Sequence, residues 1–279
     1  MLKSIFNFFV FSSLYIALCA VMMVYQTSHL FLHGIVNTNL LFFVFFATMC
    51  SYNFHWWLTT HSATGSERLQ WAIKYKSLHF ILYLAGLIGS AVYVFQLRQH
   101  WFWLGVGAFV TFLYSAPKLP QKAFSQLKRI AVGKTLFLAF VWMYVTTVLP
   151  FVISGQPWRI EFTWFTLSRF LLIYAICIPF DYRDREDDKA DGIRSMITYF
   201  DERGIDKLFA LTISLFGIFT LLLLLCHFSY LQVGLLLLPG ILMAGLYNYS
   251  KRHFSDYFYY FALDGLMMLS SLLMVIMGI

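Results

Sequence analysis

The stretch LFALTISLFGIFTLLLLLC, residues 208–226, decides the fold class because it contains no charged side chain. A helix needs about 20 such residues to cross the hydrocarbon core of a bilayer. Further apolar runs lie at about 5–27, 38–58, 77–97, 101–116, 132–153, 163–180, 231–249 and 257–278. Since a bilayer offers backbone polar groups no water, the sequence predicts an all-α, polytopic membrane protein with nine transmembrane helices.

The composition excludes a soluble globular protein. The chain is 60% hydrophobic and only 12% charged, whereas a soluble domain has roughly 25% charged residues. The net charge of +7 could suit nucleic acid. However, the basic residues are separated by apolar spans, so no nucleic-acid partner is expected. No pair of cysteines has CxxC spacing and all of them lie in apolar runs, which predicts free thiols.

The distribution of lysine and arginine predicts the topology. Nearly all of them lie in loops on one side of the predicted spans; the exceptions are Arg98, Arg159 and Arg169. Because cytoplasmic loops carry the excess of basic residues, the N-terminus is predicted to be cytoplasmic. No Pro/Gly-rich linker divides the chain, so we expect a single integral membrane domain over residues 1–279. The expected location is a bacterial inner membrane.

Most of the acidic residues lie in one loop, between residues 181 and 206. It contains the sequence FDYRDREDDKADGIRSM, residues 180–196. If the preceding helix continues, Asp181, Asp184, Asp188 and Asp191 share one face. Such a row of like charges needs a cation, and carboxylate oxygens suit Mg²⁺ bound to a substrate phosphate. The alternative is an ordinary charged loop in which neighbouring arginines and lysines neutralise the acids. The later acids of the loop, Asp201, Glu202 and Asp206, are expected to be solvated.

A second crowded loop on the same side carries basic residues and no acid. Lys118, Lys122 and Arg129 are candidates for binding diphosphate oxygens, and Tyr114 at the end of its span could add a hydrogen bond. Membrane topology alone also explains part of this positive charge.

Polar residues lie in two of the predicted spans. Asn53 and His55 lie near the membrane boundary, where they could act at a catalytic site or, beside Trp56 and Trp57, could simply belong to an interfacial belt. Asp264 in the last span could belong to the site or pair with a neighbouring helix.

These residues together resemble the UbiA superfamily of intramembrane prenyltransferases. The acidic stretch is similar to the family's second motif, DxxDxxxDxxxGxxT, and its members here are Asp181, Asp184, Asp188, Gly192 and Ser195. The exit of the fourth span, Tyr114 to Lys118, is similar to the family's diphosphate contact, and the last span also looks like the family's last helix. The first motif, NxxxDxxxD, keeps only Asn53, since Trp57 and His61 replace its aspartates.

The stretch from Asp188 to Gly192 is also similar to the start of a CDP-alcohol phosphotransferase motif. The Ala-Arg step and the downstream GxxxD element of that motif are both absent, which excludes this interpretation.

The UbiA resemblance implies a prenyltransferase. It would move an isoprenoid group from a prenyl diphosphate to an aromatic or lipidic acceptor within the bilayer, with Mg²⁺ as cofactor. The implied metal ligands are Asp181, Asp184 and Asp188, and the implied catalytic residues are Asp181, Asp184, Asn53 and His55. Because the first motif lacks its aspartates, two alternatives stay open: a diverged prenyl-lipid binding protein and a terpene cyclase-like relative.

Overall fold

A computed structural model describes residues 2–59, 66–115, 134–190 and 196–279 of the chain. The described residues form helices joined by short turns. We number them α1 (Leu2–Phe11), α2 (Leu14–Phe31), α3 (Thr38–Leu58), α4 (Glu67–Lys74), α5 (Lys76–Gln96), α6 (Trp101–Ser115), α7 (Lys134–Met143), α8 (Leu149–Ile153), α9 (Ile160–Arg183), α10 (Arg185–Ala190), α11 (Met196–Tyr199), α12 (Glu202–Leu221), α13 (Tyr230–Ser250) and α14 (Asp264–Met277). A π-helical segment, Tyr144–Val148, joins α7 to α8, and a second one, Phe258–Leu263, leads into α14.

Seven helices in the described ranges are long and apolar enough to cross a membrane. They are Leu14–Phe31, Lys76–Gln96, Thr135–Ile153, Ile160–Arg183, Glu202–Cys226, Tyr230–Ser250 and Phe258–Met277. A multi-pass integral membrane protein is therefore confirmed, whereas the count of nine spans is not. The two remaining predicted spans are helices too, but α6 has only 15 residues. Helix α3 has 21 residues, and polar residues at both of its ends reduce its apolar character.

The first predicted span, 5–27, has the wrong bounds. The chain breaks between α1 and α2 at Ser13, whose φ of 70° lies in the left-handed region. The crossing helix therefore begins at Leu14 and extends to Phe31. The sequence alone does not reveal this break, because small residues such as Ser12 and Ser13 also occur within membrane helices.

Helix α9 lies at the centre of the bundle, and α5 lies at its edge. About 72% of the apolar window of α9 is buried, compared with 11% for α5. Since α5 is apolar along almost its whole length, its exposed face fits the acyl chains of a bilayer. The central place of α9 matters because the acidic stretch follows directly at its end.

The end of the bundle opposite to the acidic stretch is closed by aromatic side chains. Phe31 lies 4.4 Å from Phe165 between ring centroids, and Phe151 stacks on Phe162 at 3.9 Å. The Arg159 side chain also donates a hydrogen bond of 3.0 Å to the Phe31 carbonyl. These contacts tie α2, α8 and α9 together far from the candidate site.

Helices α3 and α5 approach each other closely at Gly86. A Cβ atom at this position would lie 2.5 Å from the Cys50 backbone nitrogen and 2.8 Å from the Phe46 carbonyl oxygen. Only glycine allows two helix backbones to come so near, as in other membrane helix pairs.

We expect Gly86→Ala to destabilise the protein by about 1–3 kcal/mol, because the added methyl group would push two backbones apart. The control is Gly217→Ala on α12, where a Cβ atom would have nothing within 4 Å. Thermal unfolding in detergent or nanodiscs measures both variants. Equal melting temperatures would contradict the close α3–α5 contact.

Candidate functional site

The acidic stretch continues the helical path of α9 after Arg183. The Asp184 N–H donates to the Phe180 carbonyl at 3.0 Å, and the Asp188 N–H donates to the Asp184 carbonyl at 2.9 Å. These bonds carry the chain into α10, so Asp181, Asp184 and Asp188 follow one another at helical spacing. The fourth predicted member of the row, Asp191, lies outside the described residues together with Gly192 and Ser195.

Asp181 is buried, with 7% of its surface exposed, although it lies at the end of a membrane helix. The hydroxyl group of Thr135 on α7 donates a hydrogen bond to its Oδ2 atom. Thr135 is itself buried. Thr135 thus orients the Asp181 carboxylate, and carboxylate oxygens are the ligands that suit a hard cation.

Asp184 has a different environment from Asp181 because an arginine holds it. Arg183 Nε donates to one Asp184 oxygen at 2.7 Å, and Arg183 Nη2 approaches the other at 3.3 Å. The same Nη2 atom donates to the Tyr260 hydroxyl at 3.2 Å. Arg183 therefore orients Asp184 and connects it to the segment before α14.

Asp188 is also buried, with 6% of its surface exposed. Oxygen donors of this kind fit a hard divalent cation such as Mg²⁺. Within the ranges that the structure describes, no group of three or more His, Cys, Asp or Glu side chains could hold a metal ion. The assignment of Asp181, Asp184 and Asp188 as metal ligands therefore stays a prediction.

The later acids of the loop are exposed, as expected, and each of them also has a partner. Lys251 lies 2.8 Å from both Glu202 and Asp206. Asp201 accepts a hydrogen bond from the Gly204 N–H and caps α12. These three acids stabilise the start of α12, because a negative charge near a helix N-terminus is favourable. Lys251 also fixes the orientation of Glu202 and Asp206.

Asn53 is fully buried and bound to protein groups on three sides. Its Nδ2 donates to the Ser12 carbonyl at 3.1 Å and to the Met49 carbonyl at 2.9 Å, while its Oδ1 lies 2.7 Å from His79 Nδ1. These contacts use both N–H groups and the oxygen of the amide. They favour a structural role, in which Asn53 holds the break between α1 and α2 against α5, over the predicted catalytic one.

His55 is partly exposed on the next turn of α3, and its carbonyl accepts a hydrogen bond from Thr59. Its predicted catalytic role stays a prediction. The neighbouring Trp56 does more than anchor the helix at an interface. Its ring packs edge-on against Tyr260 at 6.0 Å, which brings the end of α3 next to the Arg183–Asp184 pair.

A buried arginine lies on the other side of Trp56. The Arg68 guanidinium stacks on the Trp56 ring at 3.8 Å, and only 2% of Arg68 is exposed. Burial lowers the pKa of Arg68 to about 9. The Arg68 backbone N–H donates to Asp256 at 2.9 Å, which ties α4 to the chain before α14. A positively charged side chain thus lies beside the end of α3, where the family resemblance would place aspartates.

The side chains of the four predicted diphosphate ligands lie outside the described part of the chain. Lys118, Lys122 and Arg129 lie outside the described residues. The backbone of Tyr114 belongs to α6, but its side chain lies outside the described part. Their binding role stays a prediction.

Sequence reasoning missed Thr135, Tyr260 and Arg68. Thr135 carries no signal of its own, since a threonine after a basic loop is common. Tyr260 is one of many aromatic residues near the last span, and Arg68 was counted only as a topology signal. Only the three-dimensional arrangement distinguishes these residues.

These features define an all-helical integral membrane protein with a carboxylate site at one end of its bundle. The model of the UbiA prenyltransferase family matches residues 70–272, and the chain belongs to this family. Neither the curated proteins nor the solved structures gave a match. Membership in this family implies membrane prenyltransferase activity in general, with a prenyl diphosphate and a lipid-soluble acceptor as substrates. The match includes the acidic stretch but begins after α3, so the altered first motif lies outside it.

We expect Asn53→Leu to lower the stability by about 1–3 kcal/mol or more, since it leaves the Ser12 carbonyl and His79 without their buried partner. Asn248→Leu is the matched control, because Asn248 is exposed on α13. The melting temperature in nanodiscs measures the difference. An unchanged melting temperature together with lost activity would instead support the catalytic assignment of Asn53.

Proposed function

We propose that the protein transfers an isoprenoid group from a prenyl diphosphate to an aromatic or lipidic acceptor, with Mg²⁺ as its cofactor. The observation that carries the proposal is the buried Asp181 carboxylate, which a neutral hydroxyl group orients at the end of the central helix in a member of the UbiA family. Asp184 and Asp188 are the further ligands that we propose.

Each acidic residue would have its own task. Thr135 holds one oxygen of Asp181 and would thereby orient the carboxylate for a cation. Arg183 and Tyr260 orient Asp184. Bound Mg²⁺ would supply positive charge that stabilises the departing diphosphate. Lys118, Lys122 and Arg129 are proposed to bind the remaining diphosphate oxygens, because loops of lysine and arginine suit phosphate.

Aromatic side chains surround the same end of the bundle. Phe180 packs against Tyr259 and Tyr260, at 5.0 and 5.8 Å between centroids. Aromatic faces attract positive charge. The Arg183 guanidinium lies over these three rings, 4.7 to 5.4 Å from their centroids, so the rings would help to position the arginine that orients Asp184.

A second candidate is a diverged protein that binds prenyl diphosphate without turning it over. The end of α3 favours this second candidate. Asn53 bonds to Ser12 and His79 of the fold, and the Trp56 ring stacks with the buried Arg68 rather than facing a carboxylate. The two candidates differ in one result. The transferase releases diphosphate, whereas the binding protein holds its ligand intact.

The test is incubation of the protein in nanodiscs with geranyl, farnesyl and geranylgeranyl diphosphate, with Mg²⁺ or with EDTA. We expect diphosphate release that requires Mg²⁺. Asp181→Asn and Asp184→Asn should each reduce it by about 100-fold or more, as the loss of a direct ligand does. Glu186→Gln in the same loop is the control, since Glu186 is exposed and pairs with Lys189. Full Mg²⁺-dependent activity in both aspartate variants would refute this mechanism.

Thr135→Val tests the orientation of Asp181 separately. The change keeps the shape of the side chain and removes the hydroxyl donor, so Asp181 loses its hydrogen bond. We expect a decrease of about 10–100-fold in diphosphate release and a higher Mg²⁺ concentration for half-maximal rate. Thr163→Val, near the opposite end of α9, is the control. An unchanged Mg²⁺ dependence would show that Thr135 does not position the ligand.

A further inference from the structure

Asp264 is an acid inside a membrane-spanning segment that the proposed metal site does not use. It is the first residue of α14 and directly follows the π-helical segment Phe258–Leu263. Ionisable residues within membrane spans are costly and mark function. Short π-helical segments also occur frequently at functional sites. These two observations single out Asp264 from the other acids of the chain.

The Asp264 side chain faces the interior of the bundle. The Tyr15 hydroxyl of α2 donates a hydrogen bond of 2.9 Å to the Phe261 carbonyl, about one turn before Asp264, and Cys19 of α2 and Arg183 of α9 lie within electrostatic range of the carboxylate. Tyr15 and Cys19 are buried, yet Asp264 itself remains partly accessible. A partly exposed carboxylate beside two interior helices can therefore contact a bound small molecule.

No side chain of the described residues forms a hydrogen bond or an ion pair with the Asp264 carboxylate. Arg183, the cation that acts on it, is bound to Asp184 and Tyr260. An acid without a partner in such a place is costly unless a ligand supplies one. A structural ion pair between helices therefore does not explain Asp264.

Asp264 lies deeper in the bundle than the proposed diphosphate site. Tyr260 accepts a hydrogen bond of 3.2 Å from Arg183 at the end of α9, and Asp264 follows Tyr260 by four residues on the way into α14. Four residues of an α-helix span about 6 Å along its axis. The Asp264 carboxylate therefore lies about one helical turn further into the bundle than the Arg183–Asp184 pair, on the side from which a prenyl chain would reach the proposed diphosphate site.

We propose that Asp264 is the general base that accepts the proton from the acceptor during prenyl transfer. This inference rests on the proposed function. The bond between the prenyl carbon and the diphosphate oxygen breaks, and its electron pair leaves with the diphosphate. The acceptor forms a new bond to the prenyl carbon, and the proton that the acceptor loses passes to the Asp264 carboxylate. The acceptor is therefore a compound with a removable proton at its reacting atom, such as a hydroxylated aromatic ring.

The experiment compares wild-type protein with Asp264→Asn and Asp264→Glu in nanodiscs. Farnesyl diphosphate, Mg²⁺ and one of three probes (phenol, 4-hydroxybenzoate or 1-naphthol) are supplied. Three products are measured: the released diphosphate, the prenylated probe and any prenyl alcohol formed by water. The matched control is Glu161→Gln, the same acid-to-amide change near the other end of α9.

We expect Asp264→Asn to reduce the prenylated probe by about 100-fold or more, which is within the range of a lost general base. Diphosphate release should fall by less than about threefold, and prenyl alcohol should replace the prenylated product, because ionisation continues without proton removal. Asp264→Glu should recover part of the transfer. Farnesyl diphosphate should raise the melting temperature of all variants equally, which shows that each one folds and binds.

Unchanged transfer in Asp264→Asn would overturn the inference and leave the proposed function intact. A parallel loss of diphosphate release and transfer would also overturn it, since Asp264 would then act in ionisation. If the wild-type protein releases no diphosphate and forms no prenylated probe, the proposed function fails and the inference fails with it.

Discussion

The hydrogen bond from Thr135 to Asp181 is the contact on which the candidate site depends. Asp181 ends the most deeply buried helix of the bundle, where a carboxylate without a donor would be costly. The hydroxyl group of Thr135 orients the carboxylate without adding a charge of its own. The contact also joins the start of α7 to the end of α9.

The other acids differ according to their partners. Asp184 is held by Arg183, and Glu202 and Asp206 are held by Lys251. Such pairs at the edge of a bilayer fix side chains more than they stabilise the fold. Asp264 belongs to neither group, since it lies within the bundle and no described side chain binds it. The arrangement separates acids that organise the site from acids that can react or bind.

The end of α3 shows how a departure from a family motif is accommodated. Asn53 is occupied by Ser12, Met49 and His79, so it serves the packing of helices. Trp56 connects the buried Arg68 to Tyr260, and Tyr260 in turn accepts a hydrogen bond from Arg183. Arg68 and Arg183 therefore lie near one tyrosine, between the end of α3 and the acidic stretch. This positive charge favours an anionic substrate group even with a single carboxylate cluster.

The sequence by itself determined the class of fold and the location of the acidic stretch. Apolar length is a local property, so residues 208–226 alone require a membrane helix, and the spacing of Asp181, Asp184 and Asp188 places them on one helical path. The family resemblance was likewise readable from these residues. Tertiary structure alone decided the break at Ser13, the structural use of Asn53, and the roles of Thr135, Tyr260 and Arg68. Hydrogen bonds and ring contacts between helices join residues far apart in the chain, and no local pattern records which of them meet.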